Sequence, residues 1–169
     1  MGHASNGEAK ATVGDFDVMV QSFQDQASQI EALFNRRLDE VPPGEVEACG
    51  ESAWHVIANL KVSTSGTRIV AGSKALHHVL PDLIAPIDRQ YTWRFFTGQT
   101  TYLPKGGEEA AFLNWFPRFA DIASQQQRVI ADAIQRGGFM ATGIAKVVDN
   151  AIMGFMQLLG EMVEPSEEA

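Results

Sequence analysis

Apolar residues recur at helical spacing along most of the chain. From Phe16 to Leu38 they repeat every three or four positions, which predicts one long amphipathic helix over 15–40. Two prolines and a glycine at 42–44 end this helix, and a second apolar series predicts another helix that ends near Leu60. No stretch shows the alternation of a half-buried strand, so the pattern indicates helices throughout.

Capping signals mark several helix ends. Thr12, followed three residues later by Asp15, resembles a capping box at the start of the first helix. A further helical pattern runs over 68–80, and Pro81 biases the residue before it out of helical geometry. Asp88 precedes a short aromatic segment that Gly98 ends, which predicts a capped helix of about two turns.

The C-terminal half predicts two longer helices. In the first, which begins near Glu108, Pro117 is expected to bend or restart the chain, and the pair of glycines at 137–138 ends it. In the second, apolar residues from Met140 to Met162 share one face. Core packing is the preferred interpretation of this methionine-bearing stripe, and a dimer seam or partner groove is the alternative.

Together these elements predict an all-α fold, a compact orthogonal domain of six or seven helices. We expect a disordered N-terminal tail over 1–11, a single helical domain over 12–163 and an acidic C-terminal tail over 164–169. Cys49 is the only cysteine, which excludes an intramolecular disulfide and cysteine-rich metal sites. With no apolar run long enough to span a bilayer and no signal peptide, a cytoplasmic protein without a membrane partner is expected.

Charge is unevenly distributed along the sequence. The net charge of −8 disfavours nonspecific attraction to nucleic acid or anionic lipid. Yet the middle third, 54–107, carries six basic against two acidic residues, a local charge of +4. This excess predicts either a surface for an anionic ligand or acidic partner, or internal pairing with the acidic helices on either side.

The segment 73–91 concentrates the groups capable of chemistry. On a helix, Lys74, His77 and His78 share one face, and Leu76 lies on the other. The adjacent histidines diverge by about 100°, whereas joint metal ligation favours a spacing of three or four, so we predict no metal and no cofactor. The predicted catalytic residues are Lys74, His77 and Asp88, and the predicted ligand-binding residues are Ser73, His78, Arg89, Tyr91 and Arg94.

The same segment resembles a pattern found in uncharacterised bacterial proteins, Ser-Lys-x-Leu-His-x-x-x-Pro-Asp-Leu-x-x-Pro-x-Asp-Arg-x-Tyr, which has no established activity. More remotely, the order Gly72-Ser73-Lys74-Ala75, a helix, then Pro86-Ile87-Asp88 resembles the catalytic corner of helix-hairpin-helix DNA glycosylases. That resemblance implies Lys74 as the nucleophile and Asp88 as its electrostatic or base partner. The glycine-rich hairpin turn of those enzymes is replaced here by 68–71.

Three functions therefore remain open. A helical binding or assembly module, acting on a protein partner or on itself, ranks first and predicts an exposed apolar face. A nucleic-acid-directed protein related to the glycosylases predicts that Lys74, His77, Asp88, Arg89 and Arg94 converge in one cleft. An enzyme or sensor for a small anion such as a nucleotide would use the same basic cluster, with Tyr91 or Trp93 as a stacking surface.

Overall fold

The computed structural model describes residues 13–100, 105–137 and 141–163, and it confirms the all-α class. The described part holds eight α-helices, against the six or seven predicted, and an isolated bridge between Val13 and Ser63 is its only β-pairing. The predicted tails, together with Thr12 and Met140, lie outside the described residues. The helices are α1 (Phe16–Asp25), α2 (Ala27–Leu33), α3 (Val46–Asn59), α4 (Arg68–Val79), α5 (Arg94–Thr97), α6 (Gly107–Gln125), α7 (Gln127–Gln135) and α8 (Ile144–Val163).

The long first helix predicted over 15–40 is wrong in its bounds. Gln26 leaves helical geometry at φ −99° and ψ 4°, which separates α1 from α2, and the chain turns after Leu33. Leu38 is then only 1% exposed, and its N–H donates to the carbonyl of Asp82 at 2.9 Å. Core burial of Leu38 and its bond to a distant loop therefore override the local helical periodicity.

Asp88 caps a helix start as predicted, whereas Asp15 is itself the N-cap of α1 and not the third residue of a box that begins at Thr12. The Asp15 carboxylate accepts hydrogen bonds from the N–H groups of Asp17 and Val18, at 3.0 and 3.2 Å. Asp88 caps a π-helical turn (Arg89–Trp93) by accepting the Tyr91 N–H at 2.7 Å. Each cap satisfies backbone donors that the first turn of a helix leaves unpaired.

Pro117 does not divide its helix, so the restart that it suggested is wrong. The helix α6 continues through it to Gln125, and the break comes at Gln126, whose backbone has φ −115° and ψ 20°. Proline removes only one intrahelical hydrogen bond, and the flanking Trp115, Phe116 and Phe119 are all buried, which holds the helix in register.

Buried residues from α2 to α8 form one continuous core. The central helix α3 contacts α2, α4 and α6, and α4 approaches α3 very closely at Gly72. A Cβ added at Gly72 would lie 2.9 Å from both the carbonyl oxygen and a methyl carbon of Ile57. Only glycine allows this approach, which sets the position of α4 and of the polar residues that follow Gly72.

The two halves of the last helix, α8, differ in how deeply their apolar residues are buried. In the first half Ile144, Val148 and Ile152 are at most 3% exposed, so the predicted core stripe is confirmed there. In the second half Phe155 and Leu158 are 50% and 60% exposed, so the stripe does not continue as core. None of the described helices combines the length and apolarity needed to cross a bilayer.

Candidate ligand-binding cleft between α4 and α8

The polar face of α4 forms one wall of a cleft. Lys74, His77 and His78 line it, and Leu76, on the opposite face of the helix, is fully buried. Residues three and four positions apart lie about 5–6 Å from one another on a helix, so Lys74 is a neighbour of both histidines. The helical face predicted from the sequence is therefore present and opens into a cavity.

The link over 82–87, a turn followed by irregular chain, contributes Pro86 to the cleft, and Ser73 holds this link in place. The Ser73 hydroxyl donates to the Val70 carbonyl at 3.3 Å and accepts the Ile87 N–H at 3.0 Å. Ser73 is 0% exposed, so this predicted ligand-binding residue does not line the cleft. It ties α4 to the link that carries Asp88.

His77 is also tied to the link, at a second point. Its Nδ1 lies 2.7 Å from the Ile84 carbonyl oxygen, and the residue is 7% exposed. Burial lowers the pKa of His77, because an apolar environment disfavours the imidazolium; the bond to Ile84 partly opposes this effect. His77 is thus neutral at neutral pH and fixed in orientation.

The opposite wall comes from α8, whose start is fixed to the same link. The Ile144 N–H donates to the Asp82 carboxylate at 3.0 Å. A Cβ at Gly143 would lie 2.7 Å from the Pro81 carbonyl oxygen, so the two segments are in close contact. Both walls are therefore bonded to the same short stretch of chain, and these contacts fix the width of the cleft.

Lys146 and Asp149 form an ion pair on the α8 wall. Their Nζ and Oδ2 atoms are 2.6 Å apart, with side chains only 12% and 3% exposed, and Thr92 donates to Oδ1 at 3.3 Å. Burial raises the pKa of Asp149, and the bonds from Lys146 and Thr92 counteract that rise. Asp88, across the cleft, raises it further through like-charge repulsion.

The resulting cavity has a volume of about 580 Å³. This is the size of ordinary small-molecule pockets, which span about 300–1,000 Å³. It combines both signs of charge with apolar surface. Its lining residues are Lys74, His77, His78, Pro81, Pro86, Asp88, Thr142, Lys146, Asp149 and Met153.

Four of the eight predicted site residues line this cleft: Lys74, His77, His78 and Asp88. Arg89 does not; its guanidinium donates to Thr67 at 2.9 Å and lies 6.0 Å from the Trp93 ring centroid. Trp93 is 2% exposed and packs edge-on against another tryptophan, which leaves no open ring face for a stacked ligand. Tyr91, half-buried, and Arg94, exposed, are likewise not among the lining residues.

Sequence reasoning missed the α8 side of the site. Lys146 and Asp149 fall on the polar side of the helical pattern, yet Asp149 is only 2% exposed. The feature of the sequence that could have indicated their ion pair is their spacing of three residues, which places two side chains side by side on a helix. Nothing in the local pattern indicated that this pair would be buried against α4.

Lys74 differs from Lys146 in its partners. Lys146 is held by Asp149, whereas Lys74 is exposed and has no carboxylate within 4.0 Å among the described residues. Over the same residues, no three His, Cys, Asp or Glu side chains are grouped in a way that would hold a metal ion. The cleft thus offers an ammonium group and a carboxylate, those of Lys74 and Asp88, that form no ion pair within 4.0 Å among the described residues, beside the imidazole of His77.

No protein-family model matches the sequence, and no curated protein or solved structure is significantly similar to it. The resemblances to the uncharacterised bacterial pattern and to the DNA glycosylases therefore stay predictions. The fold and the cleft define the class of the protein: an all-α domain with a mixed-charge pocket between two helices.

Proposed function

We propose that this protein is a helical binding module whose α4–α8 cleft takes a small anionic molecule. The observation that carries the proposal is the unmatched ammonium of Lys74 at a cavity of about 580 Å³. A lysine at a cavity without an acidic partner is available to a phosphate or carboxylate, and His78 lies beside it on the same face.

The test is a titration with n-propyl phosphate, followed by the amide NMR signals of α4 and α8 in the wild-type chain. We expect saturable shifts confined to the cleft, and at least tenfold weaker binding in Lys74→Gln, because a hydrogen bond to a charged group contributes about 1.5–3 kcal/mol. Lys61→Gln removes an exposed lysine outside the cleft and serves as the matched control. Equal weakening by both variants, or no shifts at millimolar ligand, would contradict the proposal.

A second candidate function is self-association, favoured by the exposed apolar surface of α8. Phe155, Leu158 and Leu159 are 50%, 60% and 38% exposed on consecutive turns of the helix. Light scattering across a concentration series tests it: a dimer that Leu158→Glu converts to a monomer supports self-association. A wild-type chain that stays monomeric at high concentration contradicts it.

A nucleic-acid role is the third candidate. It is favoured by Lys74 and Asp88, which line the same cleft, and disfavoured by Arg89 and Arg94, which do not line it. Binding of labelled single-stranded and duplex oligonucleotides, measured by anisotropy at two salt concentrations, separates it from the first candidate. Contacts to several phosphates make affinity fall steeply with salt, whereas a single small anion shows a shallower dependence. Salt-sensitive binding lost in a Lys74→Ala, Arg89→Ala double variant would favour this role.

A further inference from the structure

The two ring nitrogens of His77 have different partners. Nδ1 lies 2.7 Å from the Ile84 carbonyl oxygen, which can only accept a hydrogen bond. Nδ1 must therefore carry the proton, and the neutral ring has its lone pair on Nε2. The tautomer is fixed by a backbone atom of the link.

Nε2 is the ring nitrogen of His77 that forms no hydrogen bond within the described residues, and it is not fully buried. His77 lines the cleft and is only 7% exposed. An acceptor on such a residue loses much of its hydration without gaining a protein donor, so a ligand donor in the cleft would satisfy it.

The neighbouring charges restrict which donor fits. Lys146 and His78 disfavour a proton on the His77 ring and Asp149 favours one, while Lys74 and Asp88 line the same cavity. With the anionic group of the ligand at Lys74, and with Asp149 already paired with Lys146, the donor at Nε2 needs no charge of its own. A hydroxyl group is the simplest neutral donor.

We propose that the α4–α8 cleft selects anions that also carry a hydroxyl group, as hydroxy acids and sugar phosphates do. Lys74 holds the anionic group, and His77 Nε2 accepts the hydrogen bond of the hydroxyl. The two side chains are three residues apart on α4, so one small molecule reaches both. This inference rests on the proposed function and adds the second group that the ligand must carry.

The test compares three probes: glycerol 3-phosphate, n-propyl phosphate, which lacks both hydroxyl groups, and glycerol, which lacks the phosphate. With the wild-type chain we expect glycerol 3-phosphate to bind about three- to tenfold tighter than n-propyl phosphate, the gain of one net hydrogen bond. Glycerol, which lacks the anion, should not bind measurably. Calorimetry or NMR titration gives the dissociation constants.

The matched variant is His77→Asn. Its amide nitrogen keeps a donor near the Ile84 carbonyl, and it has no atom at the Nε2 position. We expect this variant to bind the two phosphate esters equally, because it has lost the acceptor of the hydroxyl group. A preference for glycerol 3-phosphate that persists in His77→Asn would overturn the assignment of His77.

Two further results separate this inference from the proposed function. Equal binding of both esters by the wild-type chain would overturn the hydroxyl selectivity and leave anion binding intact, whereas binding of neither would overturn both. The imidazole ¹⁵N signals of the free wild-type protein test the tautomer without any variant. We expect a protonated Nδ1 and an unprotonated Nε2, and the reverse assignment would overturn the inference.

Discussion

Two clefts of similar size show what distinguishes a candidate site from a merely charged surface. The acidic cleft, lined by Asp39, Glu40, Glu47 and Asp121 among others, has a volume of about 420 Å³, and the α4–α8 cleft about 580 Å³. In the acidic cleft, Asp39 and Glu40 are each 3.2 Å from the guanidinium of Arg37, a close sequence neighbour.

The α4–α8 cleft brings together groups from two segments far apart in the sequence, 74–88 and 142–153. It buries an ion pair, a neutral histidine and, at its edge, a lysine without an acidic partner. An exposed charge is readily solvated, whereas a buried polar group without a partner carries a free-energy cost that a ligand can offset. The comparison favours the α4–α8 cleft as the candidate ligand-binding site, although the acidic cleft has more charge of one sign.

The largest expected effect is the loss of Lys146. In Lys146→Met the Asp149 carboxylate stays buried without its cation, and breaking such a pair costs about 3–5 kcal/mol. The matching change in the acidic cleft, Glu40→Gln, breaks only the exposed Arg37–Glu40 pair and should cost at most about 1 kcal/mol. Urea unfolding at neutral pH measures both, and equal losses would remove the distinction between the two clefts.

The same variant has a defined pH dependence. Burial raises the pKa of Asp149, and removal of Lys146 raises it further because the opposing hydrogen bond and charge are lost. A raised folded pKa means that the native state takes up a proton before the unfolded chain does. The loss of unfolding free energy in Lys146→Met should therefore become smaller as pH falls toward about 3.9, the ordinary aspartate pKa.

A smaller effect is expected from Gly72→Ala. The added Cβ would meet Ile57 at 2.9 Å, and overpacking of this kind costs about 1–3 kcal/mol. Gly66→Ala, where nothing lies within 4 Å, is the control and should be nearly neutral. The displaced α4 should also shift the amide NMR signals of the α4–α8 cleft and leave those of the acidic cleft in place; shifts of equal size in both would contradict this assignment.

A further expected effect is the pH dependence that His77 contributes. Because burial lowers its folded pKa, the unfolded chain binds the proton more readily, and stability declines as pH falls below about 6.5. The decline ends once pH is below the folded pKa. His77→Asn should flatten this slope in urea unfolding, and the exposed His78→Asn should retain it; the same slope in both variants would show that another group is responsible.

The smallest effect on stability is expected at Lys74. Lys74→Gln changes an exposed side chain without an acidic partner, so the free energy of unfolding should move by less than about 0.5 kcal/mol. Binding of n-propyl phosphate should nevertheless weaken at least tenfold. Glu47→Gln in the acidic cleft should alter neither quantity, and a large stability loss in Lys74→Gln would show that Lys74 acts in the fold instead.

Helical periodicity and capping chemistry determined the fold class, most helix positions and the polar face of α4. Lys74, His77 and His78 share that face because a helix places residues three and four positions apart side by side. Asp88 caps the next turn, as its position before an aromatic segment predicts. These properties depend on neighbouring residues alone, which is why they can be predicted from the sequence.

Only the tertiary structure decided which polar groups meet. Ser73 binds the link through the Ile87 N–H, and Asp149 is buried against Thr92, 57 residues earlier in the chain. Gln26 interrupts the first helical pattern, and Leu38 enters the core beyond it. Such outcomes depend on contacts between segments far apart in the sequence, where burial and long-range hydrogen bonds outweigh local preference.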